Sequence, residues 1–216
     1  MNYLAHGYRF TDDPYFVAGT ALPDWMSVID RKNRARSQRA ETQIEDADPR
    51  IRALARGVMQ HHDDDRRFHQ LQEFAELSTR FAVELRSLLS EGHQAGFLGH
   101  IAVELLLDAV LIEEAPHRLE SYYNALLQLD ASVLQSAANR ILARETQSLI
   151  LLLPRFIAER FLADYTDDAR LWRRLNHVMR RVQLAPLPES VIEWLPGART
   201  RVRAAAPQLL MLDKVP

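Results

Sequence analysis

GHIAVELLLDAVL, residues 99 to 111, is the stretch on which the fold class turns. Ile101, Ala102, Val103, Leu105, Leu106, Leu107, Ala109, Val110 and Leu111 make it apolar almost all round, and Phe97 and Leu98 extend it upstream. A helix apolar on nearly every face belongs in a core. His100, Glu104 and Asp108 interrupt it at four-residue spacing, so they stack on one stripe. A carboxylate buried there is costly unless it is paired or ligated. A metal ion answers all three groups at once. A buried network with arginines is the alternative, and the metal reading is carried forward.

The same spacing runs outward from this stretch. Phe74, Phe81, Leu85 and Leu88 precede it, and Leu119, Tyr122, Leu126 and then Leu149, Leu152, Phe156 follow. There are only 7 glycines, and Leu, Ala, Arg, Glu and Gln dominate, which favours helix. The pattern predicts an all-α, HD-like bundle of about seven or eight helices at 14–29, 48–70, 72–90, 94–113, 116–127, 130–142, 144–162 and 168–182. A short turn near 188–194 and a Pro-containing tail from Pro186, wrapped on the outside, complete one domain over 1–216. Residues 30–48 are polar and charge-dense, and read as a mobile surface loop or a partly helical one, serving either as a solvated connection or as a lid or docking surface.

Composition narrows the function classes. The net charge of -2 gives no global basic field for nucleic acid or an anionic membrane. With no cysteine, disulfides, thiolate metal sites and cysteine nucleophiles are excluded. Any metal must sit on nitrogen and oxygen, which suits Mn, Fe, Zn or Mg. The start MNYLAHGYRFTDD has no secretory pattern, and no uninterrupted apolar run approaches the roughly 20 residues that span a bilayer. A cytoplasmic protein is expected.

The densest chemical signal is GVMQHHDDDRRFH, residues 57 to 69. On one helix, His61 and Asp65 share a face, His69 stands a turn further along it, and His62 and Asp63 turn away. An imidazole and a carboxylate so spaced form half of a coordination shell. A plain polar surface is the other reading, and the metal site is preferred. His6 and Asp24 are ambiguous alone: one is near a terminus, and the other follows a proline as a helix cap does. No Gly-rich phosphate loop, GxSxG or HExxH is present.

These segments resemble a family. MNYLAH is similar to the MNFLAH start of bacterial acyl-carrier-protein phosphodiesterases. GTALPDW, residues 19 to 25, stands where that family has a short apolar run ending LADW-like or LADF-like, and GVMQHHDDDRRFH is similar to its G-x-x-x-H-H-x-x-D helix. The likeness covers roughly the first 110 residues. It implies a helical relative of HD-type phosphohydrolases with metal ligands at His6, Asp24, His61 and Asp65, joined by His100 and Glu104 from the later helix. The implied reaction is hydrolysis of the phosphodiester between 4'-phosphopantetheine and a serine of acyl carrier protein, with one or two divalent ions. This chain departs from the pattern at Asp63 and Asp64, where the family has a basic and an apolar residue, and at His69, which replaces an acid. His100 and Glu104 stand in place of two aspartates, and Leu105 in place of a histidine, so the donor set shifts toward nitrogen.

The expected mechanism is attack of metal-activated water on phosphorus. His69 or Asp64 is expected to orient a ligand or shuttle a proton, with His62 and Asp108 as further candidates behind the ligands. Arg66 or Arg67 is expected to clamp a phosphate oxygen. Arg31, Lys32, Arg34, Arg36 and Arg39, or the run Arg170, Arg173, Arg174, Arg180 and Arg181, would face an acidic partner such as acyl carrier protein. Two alternatives stay open: another phosphoesterase on the same scaffold, phospholipase-C-like or nucleotide-directed, and a non-catalytic helical binding protein.

Overall fold

The computed structural model describes residues 1–89 and 94–211, and among them the chain is all helical with no strand. The α-helices are α1 (Tyr3–Gly7), α2 (Pro14–Ile29), α3 (Ser37–Glu41), α4 (Pro49–Phe68), α5 (Gln72–Arg86), α6 (Ala95–Glu114), α7 (His117–Leu127), α8 (Ala131–Ile141), α9 (Leu149–Glu159), α10 (Asp168–Arg181) and α11 (Ser190–Leu209). A 3-10 helix, Phe161–Thr166, lies between α9 and α10. Ser90, the end of the expected helix 72–90, lies outside the described residues. The chain forms two compact units: Tyr3–Asp65 with His117–Arg160, and Met1–Asn2 with Arg66–Pro116 and the segment from Phe161 onward.

In the first unit α2 begins at Asp13, whose carboxylate accepts from the Tyr15 and Phe16 N–H groups, with Pro14 in the first turn. Two glycines set the crossing of α2 with α4. A Cβ on Gly19 would stand 2.3 Å from the Leu54 carbonyl oxygen, and one on Gly57 would stand 2.2 Å from that of Phe16. The backbones therefore touch, which any side chain at either position would forbid. Phe156 of α9 meets Tyr3 and Trp25 edge-on, with centroids 5.0 and 5.4 Å away. Segment 30–48 is partly helical and anchored to the rest of its unit. It contains α3, buries Asn33, Ala35 and Ala40, and is tied to residue 144 through both polar ends of the Asn33 amide.

In the second unit α6 packs on α5 where Gly99 leaves space: a Cβ there would lie 2.8 Å from the Ser78 carbonyl oxygen. By length and composition α6 could cross a membrane, yet 72% of its most apolar window is buried inside the protein. The C-terminal expectation needs correction. Among the described residues, the place of the expected short turn and the start of the external tail is taken by a 20-residue helix, α11, packed on α5, α6 and α10. Val191, Leu195, Ala198, Val202, Ala206 and Leu209 form its buried stripe. Pro196 and Pro207 each remove one helical hydrogen bond, and burial of the stripe outweighs that loss. Trp194 of α11 meets Phe81 edge-on at 5.0 Å and donates to Glu84 at 2.8 Å.

Candidate metal centre

His6 comes from α1, and His61 and Asp65 come from α4. All three lie in the first unit. His6 Nε2 is 3.3 Å from Asp65 Oδ1, and His61 Nε2 is 3.4 Å from Asp65 Oδ2. The imidazole centroids are 4.2 Å apart. A divalent first-row ion holds nitrogen and oxygen at about 2.0–2.2 Å, which places neighbouring ligand atoms roughly 3.0–3.5 Å apart. The two separations match such an edge.

Acceptors behind the rings fix their orientation. His61 Nδ1–H donates to the Thr20 carbonyl at 2.8 Å. A carbonyl only accepts, so the proton sits on Nδ1 and the Nε2 lone pair faces Asp65. The Gly19–Gly57 contact brings this carbonyl within reach, because Thr20 follows one glycine and His61 stands one turn after the other. His6 Nδ1 donates to Asp64 Oδ2 at 3.2 Å, and the other oxygen of Asp64 accepts from Gln60 at 2.7 Å. His6 Nε2 is buried, is not aligned for a hydrogen bond with Asp65, and makes none elsewhere. A buried nitrogen left over among nitrogen and oxygen donors fits a metal ligand.

The electrostatics agree. Burial disfavours the charged form of His61 and, with the neighbouring His6, holds its pKa well below the ordinary value, so it is a neutral donor. Burial also opposes a charge on His6, but Asp64 and Asp65 outweigh it and raise its pKa to about 9. Burial works against the Asp65 carboxylate too, yet the His6 contact wins and holds it well below the usual carboxylate range. The pocket thus draws positive charge to itself. The Asp65 side chain remains 31% exposed, so solvent reaches the group from that side.

The six expected ligands do not form one converging group. His100 and Glu104 of α6 are joined instead by His69 in the second unit, with His69 Nε2 and His100 Nε2 each 3.2 Å from Glu104 Oε1. His69 leaves the His61–Asp65 stripe because α4 ends at Phe68. Asp24 is half-buried inside α2 and belongs to neither converging group. Asp64 is buried and accepts from His6 Nδ1, so it stands behind the imidazole. Arg66 is exposed and Arg67 half-buried in the last turn of α4, within the second unit. His62 donates to the Ala35 carbonyl at 2.8 Å and so tethers segment 30–48. Asp108 is not part of the converging group of His69, His100 and Glu104: it is fully buried and accepts from the Asn2 amide at 2.8 Å.

Gln60 and the Thr20 carbonyl were not legible as site groups. The i,i+4 spacing of Gln60 and Asp64 was the available signal for the first. A backbone carbonyl leaves no side-chain signal at all. Comparison of the chain with protein-family profiles, with curated proteins and with solved structures finds no match.

Proposed function

We propose that the chain is a metal-dependent phosphodiester hydrolase whose ion is held by His6, His61 and Asp65. The observation that carries this reading is the pair of buried imidazoles whose Nδ1 atoms are tied to Asp64 and Thr20 while both Nε2 atoms turn to Asp65. His6 Nε2 is buried without an aligned hydrogen bond and faces Asp65 Oδ1 at 3.3 Å, as a ligand nitrogen beside a ligand oxygen would. Three protein ligands also leave room for water at a catalytic ion. Mn, Fe or Zn suits this donor set.

When bound, such an ion lowers the pKa of its water toward 7 and neutralises charge on phosphoryl oxygens. The residues of this chain do the rest. Asp64 and the Thr20 carbonyl hold the two rings in one tautomer and one orientation. Asp65 sits at the solvent-facing side, where water and a phosphodiester arrive. The burial of His6 and His61 keeps bulk water from the inner faces of the rings.

The substrate class comes from the resemblance of MNYLAH and GVMQHHDDDRRFH to acyl-carrier-protein phosphodiesterases, as does the HD-type relationship. The test is direct. Chelator-stripped protein is reloaded with Mn, Fe or Zn and assayed on bis(p-nitrophenyl) phosphate and on holo acyl carrier protein. Metal-dependent release of nitrophenol, or of 4'-phosphopantetheine, that is absent in His61→Ala is expected. Protein that purifies without stoichiometric metal, and whose melting temperature ignores chelators, would instead be a binding protein with a buried polar network.

A further inference from the structure

The second histidine–carboxylate group has its own chemistry. His100 and Glu104 stand one turn apart on α6, and His69 reaches them from the turn after α4. Both Nε2 atoms lie 3.2 Å from one oxygen, Glu104 Oε1, and the three ligand atoms all fall within 4.8 Å of one another. These distances match the edge of a coordination polyhedron, as in the first unit, and stand at the long limit of N–H···O hydrogen bonds. Two histidines that donate to backbone carbonyls, His61 and His62, do so at 2.8 Å. Phe74 walls both rings, with centroids 5.0 Å from His69 and 4.9 Å from His100. The α-ammonium of Met1 also lies 3.2 Å from Glu104 Oε1. Glu104 therefore already gathers positive charge and hydrogen-bond donors at one point.

We infer that His69, His100 and Glu104 form a second divalent-cation site, separate in its ligands from His6, His61 and Asp65. The cation replaces the Met1 ammonium as the counter-charge of Glu104. Two imidazoles and one carboxylate leave coordination positions open, and the side chains of His69 and His100 are 37% and 38% exposed, so water or a ligand oxygen fills those positions. This makes His69 a ligand and not a proton shuttle. The inference stands whether or not the first group belongs to a hydrolase.

The experiment is calorimetric titration of the chelator-stripped, full-length protein with zinc chloride alone. Wild type is expected to take two equivalents, and His100→Ala one. Glu104→Gln, which keeps size and an acceptor but removes charge, is also expected to take one. His61→Ala is expected to lose the other equivalent, and His61→Ala combined with Glu104→Gln to take none. Far-UV circular dichroism and metal-free melting curves establish that each variant is folded. A zinc stoichiometry that stays at the wild-type value in both His100→Ala and Glu104→Gln overturns the second site. Loss of one equivalent in Glu104→Gln with none lost in His61→Ala upholds it and removes the first site instead.

Discussion

His6 and His61 keep 1% and 4% of their surfaces in solvent, whereas His69 and His100 keep more than a third of their side chains there. Each pair turns its Nε2 atoms toward one carboxylate, so the donor chemistry is shared. What stands behind the rings differs. Asp64 and the Thr20 carbonyl bind the far nitrogens of the buried pair, while Phe74 packs beside the rings of the open pair. An acceptor behind an imidazole fixes its tautomer and its aim, whereas ring packing fixes only its place. The rings of the buried group are thus held in one orientation, whereas those of the open group are backed by the Phe74 packing.

The sharpest way to break this contrast is to remove one buried ring. His61→Ala should abolish metal-dependent phosphodiester hydrolysis, and activity retained at wild-type level would show the chemistry to lie elsewhere. Next comes the support of that ring. Gly57→Ala forces α2 and α4 apart and should cost about 3 kcal/mol, lowering the melting temperature by roughly 6–12 °C, as calorimetry can check. Zinc affinity of the first group should fall with it, because the Thr20 carbonyl leaves His61.

Asp64→Asn keeps the shape behind His6 but weakens its acceptor. It should reduce zinc affinity of the buried group about 10–100-fold and leave the open group unchanged, as competition with a chromophoric chelator would reveal. The pH profile separates the groups further. In metal-free protein, the elevated His6 pKa contributes stability that is fully present below 6.5 and is lost as pH rises through about 9. Melting curves between those limits should fall with pH in wild type and flatten in His6→Gln. The smallest effect is expected at the open group, where His100→Ala should change metal-free stability by no more than about 0.5 kcal/mol.

Helical class and most of the helices were legible because the apolar period is local: α2 and α4 through α10 all answer to it. The pairs His61–Asp65 and His100–Glu104 were legible for the same reason, since four-residue spacing fixes their separation within one helix. Helix α11 was not, because Pro196, Pro207 and the arginines between them masked a stripe that only its neighbours cover. His69 was misplaced by extending the α4 pattern past Phe68, where the chain turns.

By itself, then, the sequence determined a helical chain without thiols and two short-range imidazole–carboxylate pairs, since such features depend only on residue type and helical pitch. Tertiary structure alone decided that His6 joins one pair and His69 the other, and that Asp64 and a backbone carbonyl steady the buried rings. Those meetings join residues as far apart as 6 and 64, or 20 and 61. They exist because two glycines let α2 and α4 touch and because α4 ends where it does.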